Sequence, residues 1–331
     1  KGAGGDRNLT NAGILGIGYA VPDGVLTNHD LERMVDTSDE WITTRTGIKE
    51  RRIANGETTS DLAVLAAKKA IAHARIAPQD IDMVIVATIT PDMAFPARAC
   101  LVQDRLGCTR AGAFDLSAGC SGFVYALDVA THMVRSGPYR HVLVIGADTL
   151  SAITDFSDRS TCVLFGDGAG AAVVGQTEGR GVLATYLGAD GGQGMSLYLP
   201  RERAEAASHK DGYIQMAGSD VFKFAVRIMG DAALEVLRRA AVAPEDVDLF
   251  VPHQANIRII DAAAKRLGLD GRKIFVNVHK YGNTSAASIP IALAEAYEQG
   301  RLNKGDIVTL VGFGAGLTWG AAALEWEVPK A

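Results

Sequence analysis

Four cysteines and seven histidines are scattered through this sequence without clustering, and one of the cysteines stands apart by its surroundings. Cys120 lies within Asp115-Leu116-Ser117-Ala118-Gly119-Cys120-Ser121-Gly122-Phe123. An apolar run from Ala111 to Phe114 feeds this small-residue turn, and apolar residues recur at helical spacing from Phe123 to Val134. Cys120 therefore falls where a strand hands over to a helix. Unpaired amide N–H groups and the helix dipole favour a thiolate there, while Gly119 and Gly122 leave room for a substrate to approach the sulfur. Cys100, Cys108 and Cys162 show no Cys-x-x-Cys pairing and no histidine cluster, so the spacing predicts no metal site. Four cysteines are too few for a disulfide framework at this length, and reduced thiols in the cytoplasm are the expectation.

Two other side chains join Cys120 by position. His253 sits in Val251-Pro252-His253-Gln254-Ala255-Asn256, just past a predicted strand, and Asn283 in His279-Lys280-Tyr281-Gly282-Asn283-Thr284, just before a predicted helix. A lone histidine is usually a structural hydrogen-bonding group and a lone asparagine a cap or turn residue. Both, however, fall at strand C-terminal or helix N-terminal ends, the edge at which α/β folds bind ligands. The run Gly312-Phe313-Gly314-Ala315-Gly316-Leu317 could turn backbone N–H groups toward a developing oxyanion. It lacks the Lys-Ser/Thr ending of a phosphate-binding loop.

The elements that must position these groups alternate along the chain. A strand from Ile14 to Tyr19 and a turn at Val21-Pro22-Asp23-Gly24 precede two short helices, the second capped by Ser38. A helix from about Asp61 to Ala74 places Leu62, Leu65, Ala66 and Ala70 on one face, and Met83 to Thr88 reads as a strand. Then follow a helix started at Pro96 and ended by Gly107, a strand from Ala111 to Phe114, a helix from Ser121 to Arg135 closed by Gly137, and a strand from His141 to Ile145. Such alternation predicts an α/β fold with largely parallel, buried strands.

The second half echoes the first. Ile76-Ala77-Pro78-Gln79-Asp80-Ile81-Asp82-Met83 is matched by Val242-Ala243-Pro244-Glu245-Asp246-Val247-Asp248-Leu249, 166 positions later, and the same offset carries Val142-Leu143-Val144-Ile145-Gly146 onto Val308-Thr309-Leu310-Val311-Gly312. The repeat predicts two αβ halves related by a pseudo-twofold axis, with a site between them. Cys120 corresponds to Ala286, so one half alone carries the sulfur. On this reading residues 1–176 form the half with Cys120, residues 177–217 a surface insertion, and residues 218–331 the half with His253 and Asn283.

Composition narrows the function. A chain of 331 residues with 48% hydrophobic and 21% charged residues can bury a large core. Its formal charge of −5 speaks against nucleic-acid binding, no apolar run reaches membrane-spanning length, and Lys1 to Thr10 show no signal-peptide core.

The segments around Cys120, His253, Asn283 and Gly316, together with Thr37-Ser38-Asp39-Glu40-Trp41-Ile42 and Phe165-Gly166-Asp167-Gly168-Ala169-Gly170, closely resemble β-ketoacyl-[acyl-carrier-protein] synthase III from about residue 11 to residue 328. The Cys-His-Asn set separates that family from elongating ketosynthases and thiolases. The resemblance implies a thiolase-like, five-layered αβαβα fold and a homodimer. It also implies a decarboxylating condensation of an acyl-CoA primer with malonyl-acyl-carrier protein, by a ping-pong route through an acylated Cys120 and with no cofactor. By the same resemblance Cys120 and Gly316 form the oxyanion hole, His253 and Asn283 stabilise the malonyl enolate, and Thr37, Trp41, Arg45 and Arg159 bind CoA. Phe95, Phe165 and Phe222 would wall the acyl pocket, with Phe95 reaching across the dimer interface. Lys223, Arg258, Lys265 and Arg266 would dock the carrier protein. The donor role requires a neutral His253, with another group holding its second ring nitrogen. A related condensing enzyme of secondary metabolism is the alternative within this class, and a non-catalytic ketosynthase partner is the alternative outside it.

Overall fold

The computed structural model describes residues 10–200 and 212–329. Residues 1–9, within the stretch expected to carry no signal-peptide core, 201–211, inside the expected insertion, and 330–331 lie outside the described residues, so those expectations are not tested there. In chain order the main elements are β1 (Ala12–Ala20), α1 (Asp39–Thr46), α2 (Thr59–Ala74), β2 (Met83–Ala87), α3 (Arg98–Leu106), β3 (Gly112–Leu116), α4 (Gly122–Ser136), β4 (His141–Thr149), β5 (Asp167–Gln176) and β6 (Val182–Ala189). They continue with α5 (Gly218–Ala240), β7 (Leu249–Pro252), α6 (Ile257–Leu267), α7 (Ser288–Glu298), β8 (Ile307–Gly314) and β9 (Thr318–Glu325).

Two sheets form. The first has the order β1-β5-β4-β2-β3, with β4, β2 and β3 parallel and β5 antiparallel to both of its neighbours. The second has the order β6-β9-β8-β7, with β7 parallel to β8, β9 antiparallel to β8 and β6, and a parallel bridge from Phe250 to Ile274 beyond β7. With the fifth strand of the first sheet reduced to that single bridge in the second, this is one pattern used twice.

Alternation along the strands sets the layers. Val84 and Val86 of β2 and Leu143, Ile145 and Ala147 of β4 face α2 and α3, whereas Ile85, Ala87, Val142 and Val144 face the middle of the molecule. There α4 (Phe123, Val124, Leu127, Ala130) and α7 (Ile289, Ala292, Leu293, Ala296) pack together between the sheets, while α5 and α6 cover the far side of the second sheet. The result is the five-layered αβαβα thiolase-like arrangement, with both central helices beginning at the junction of the halves.

Three sequence expectations change. Residues 177–217 are not a surface insertion throughout, because Val182–Ala189 is β6, the second-sheet counterpart of β1, paired along β9. Leu65 is half exposed; the buried arc of α2 is Leu62, Ala63, Ala66, Ala67 and Ala70. Pro96 does not start α3, which begins at Arg98, where the Asp115 carboxylate accepts from the N–H groups of Arg98 (2.6 Å) and Ala99 (2.7 Å). A cap supplied by a neighbouring strand satisfies donors that a local cap residue would otherwise serve.

Candidate active site

After β3 ends at Leu116, one tight turn, Gly119–Ser121, leads into α4, and Cys120 is its middle residue. Gly119 adopts φ +55, and a Cβ there would lie 2.8 Å from the Ala315 nitrogen. A Cβ on Gly314 would lie 2.3 Å from the Cys120 nitrogen. The end of β8 can press against the cysteine turn only because both positions are glycine.

Burial pushes the Cys120 thiol up to about 12, and the Asp148 carboxylate adds to the rise, while the nearby Ser285 hydroxyl and Asn283 amide pull the other way. The thiolate expected from sequence is therefore corrected to a resting thiol. The positive end of α4 favours ionisation, but the sulfur has lost its water.

His253 follows β7 directly, its N–H bonded to the Val311 carbonyl at 2.8 Å. Its side chain is buried, which lowers its pKa to about 3, so the ring is neutral as the donor role requires. Neither ring nitrogen has a hydrogen-bond partner among the described residues, so the expected holder of the second nitrogen is not found. Phe313 meets the ring edge-on at 5.6 Å between centroids. The next residue, Gln254, is fully committed, donating to the carbonyls of Pro252 and Phe275 and accepting from the N–H groups of Asn277 and Val278. It anchors the backbone from which His253 projects.

Asn283 is fixed by its own main chain, donating to Leu164 and accepting from Gly166, both at 2.9 Å. Its Oδ1 accepts the Ser285 N–H at 2.8 Å, which leaves the Nδ2 amide to donate toward Cys120 and the cavity.

Two cavities meet at Cys120, Phe165 and Leu197. One, ≈ 630 Å³ with its mouth, is apolar, with Ile89, Leu150, Ile153 and Ile214 among its walls. The other, ≈ 580 Å³ with its mouth, brings Cys120, His253 and Asn283 together with Phe222 and Asn256. Of the expected pocket walls, Phe165 separates the two spaces, and Phe222 belongs to the catalytic one, where the Arg258 guanidinium lies 5.0 Å over its ring. Phe95 is 83% exposed and lines neither space, so within one chain it is not a pocket wall. Gly314 and Ala315 line the cavities, and Gly316 follows them at φ +136.

Trp41 projects from α1 with the guanidinium carbons of Arg45 and Arg159 each 5.1 Å from its ring centre. Arg159 also donates to the Asp36 carbonyl at 2.9 Å, and the buried Thr37 hydroxyl has no partner among the described residues. A planar ring sandwiched between Trp41 and Arg159 has to displace that guanidinium. Among the four expected docking cations, Arg266 of α6 pairs with Asp231 of α5 at 2.9 Å, and Lys223 is 4.0 Å from Asp220. Lys265 is exposed.

Sequence reasoning missed Ser285, Asp148 and most of the apolar walls. Asp148 carried a signal, a carboxylate near the end of a largely apolar strand. Leu197 and Ile214 carried none, since they lie in the stretch read as an insertion.

Residues 114–191 match the family model for 3-oxoacyl-[acyl-carrier-protein (ACP)] synthase III, and residues 237–326 match the model for its C-terminal part. The β-ketoacyl-[acyl-carrier-protein] synthase III of Caldanaerobacter subterraneus subsp. tengcongensis is 58% identical, over 96% of this chain and 98% of its own. That of Bacillus pumilus is 56% identical over 96% and 99%. The crystal structure of the Aquifex aeolicus 3-oxoacyl-[acyl-carrier-protein] synthase III superposes with a TM-score of 0.91 at 52% identity, covering 96% of this chain and 100% of that one. The priming β-ketosynthase of the R1128 polyketide pathway superposes with a TM-score of 0.93 at 38% identity, over 97% and 98%.

Proposed function

This chain belongs to the β-ketoacyl-[acyl-carrier-protein] synthase III family of acyltransferases, and we propose that the cavity at Cys120 performs the condensation of acyl-CoA with malonyl-acyl-carrier protein that initiates fatty-acid synthesis. The Cys120 sulfur attacks the thioester carbonyl of the primer, the N–H groups of Cys120 and Gly316 receive the oxyanion, and CoA departs. The acyl chain occupies the apolar cavity beyond Phe165. Malonyl-carrier protein then enters the other cavity, and the bond to the carboxylate breaks. The electron pair passes to the thioester oxygen, which His253 and the Asn283 amide stabilise by hydrogen bonds. The carbanion attacks the acyl carbonyl and expels the Cys120 sulfur. Enclosure by Phe222, Phe165 and Phe313 keeps water from protonating the carbanion first.

The observation that carries this reading is the meeting, in one buried cavity, of a cysteine, a histidine held neutral and an asparagine whose oxygen is already taken. Thr37, Trp41, Arg45 and Arg159 form the adenine end of the CoA site, consistent with an indole flanked by guanidiniums. Lys223, Arg258 and Lys265 offer the acidic carrier protein its docking charge, with Arg266 already engaged in tying α6 to α5. A homodimer places the exposed Phe95 against a second copy. Four free thiols and CoA thioester substrates suit a reducing, cytoplasmic setting.

Mass spectrometry of the intact protein tests the reading. Incubation with acetyl-CoA and with longer acyl-CoAs should add an acyl mass on Cys120, and malonyl-carrier protein should remove it as 3-oxoacyl product. A Cys120→Ser protein that forms product at the normal rate would sink the mechanism.

A further inference from the structure

Asp148, next to last in β4, is fully buried, and its two oxygens are treated unequally. Oδ1 accepts from the Thr88 hydroxyl (2.9 Å), the N–H groups of Ile89 (2.8 Å) and Thr90 (3.2 Å), and the Thr90 hydroxyl (2.9 Å). Among the described residues, Oδ2 takes a single long bond, from the Ala286 N–H at 3.3 Å. A carboxylate oxygen can accept more than this. The neighbour on that side is Ser285, fully buried and a wall of the apolar cavity beside Cys120. Its hydroxyl lies close enough to Cys120 and to Asp148 to influence both, yet makes no well-aligned hydrogen bond among the described residues. Its backbone is held at φ +51, a region costly for a residue other than glycine, by the bond from its N–H to Asn283 and by the next N–H on Asp148. Such strain persists where surrounding contacts over-determine it, and it clusters at functional sites.

We propose that Ser285 and Asp148 form the path that takes the thiol proton from Cys120 during acylation, an inference that rests on the acyl-cysteine reading above. The S–H proton passes to Ser285 Oγ as the Ser285 hydroxyl proton passes to Asp148 Oδ2, leaving a thiolate and a carboxylic acid. The thiolate forms the bond to the acyl carbon, and the bond from that carbon to the CoA sulfur breaks. The proton returns through Ser285 to the departing CoA thiolate, so that acyl-Cys120, neutral CoA thiol and the Asp148 carboxylate remain. Ser285 is the catalytic residue of this pair, and Asp148 acts through it.

Rapid-quench mass spectrometry of Cys120 acylation by acetyl-CoA, with CO2 release from malonyl-carrier protein measured in parallel, tests the path on wild type, Ser285→Ala, Asp148→Asn and the double variant. Acylation by each single variant should fall by about a hundredfold, the size of one general acid–base contribution, and well beyond any fall in decarboxylation. The double variant should be no slower than the slower single one, because the two residues act as a unit. Wild-type acylation by Ser285→Ala, or an equal fall in both half-reactions, would overturn the proposal. If Asp148→Asn does not fold, Ser285→Ala decides alone. Wild-type protein that gains no acyl mass would instead overturn the acyl-cysteine reading on which this path rests.

Discussion

His253 owes its neutrality to burial alone, for no charged group among the described residues moves its ring. An imidazole in the unfolded chain titrates near the ordinary value of about 6.5, and in the folded chain at about 3. Between those values the unfolded chain binds a proton that the folded one refuses, so stability is lost progressively as pH falls below about 6.5. Urea unfolding should show His253→Gln losing less stability than wild type between pH 7 and pH 5. The roles of the two donors separate by half-reaction. His253→Ala or Asn283→Ala should slow CO2 release from malonyl-carrier protein by about a hundredfold, the cost of one oxyanion donor, and leave most Cys120 acylation intact by mass shift. Equal loss of both steps would contradict the division. The positions of these three side chains were legible because Cys120 and His253 each follow a strand and Asn283 precedes the turn that opens a helix. Ser285 was not, since its importance depends on a positive φ and a carboxylate from another strand, which no local pattern of letters encodes.

At the scale of elements, the site exists because β4 lies almost against the turn that starts α7. A Cβ on Gly146 would stand 2.1 Å from the Ala286 carbonyl oxygen. Gly146→Ala should therefore cost about 1–3 kcal/mol, as overpacking does, and should displace Ser285 and Asn283 with a loss of activity. Gly271→Ala, with open space around its Cβ, should leave both the melting temperature and the rate unchanged. The 166-residue repeat made much of this level readable: the turns Pro78–Asp80 and Pro244–Asp246, and Gly119–Ser121 and Ser285–Ala287, recur at that spacing. β6 escaped because Val182–Ala189 is half-buried along most of its length and shares few letters with β1, whose burial is nearly continuous. Leu65 was misassigned because its apolar side chain hides its company: one turn further along α2 the same face carries the exposed Lys68 and Lys69, away from the arc centred on Ala66 and Ala70.

Across the whole molecule, the exposed surface predicts two associations. Met93 (49% exposed) and Phe95 stand out on the loop before α3, and the proposed homodimer predicts that Phe95→Asp shifts sedimentation toward monomer. Lys265→Glu, which reverses an exposed charge, should raise KM for malonyl-carrier protein and leave acyl-CoA use unaltered. The overall architecture was legible in the alternation and the repeat, whereas the shape of the two cavities was not, because it is set by side chains drawn from both halves. The pairing of those halves has a further consequence. Cys120 and Ala286 occupy equivalent seats, and a Cβ on Gly122 would come within 3.5 Å of the Ala286 methyl. Two helix beginnings thus converge on one point while a single sulfur draws on both. Joined in one polypeptide, the twins cannot drift apart on dilution, and each can specialise: one carries the reactive atom, and the other, with Ala286 in its place, supplies donors and walls.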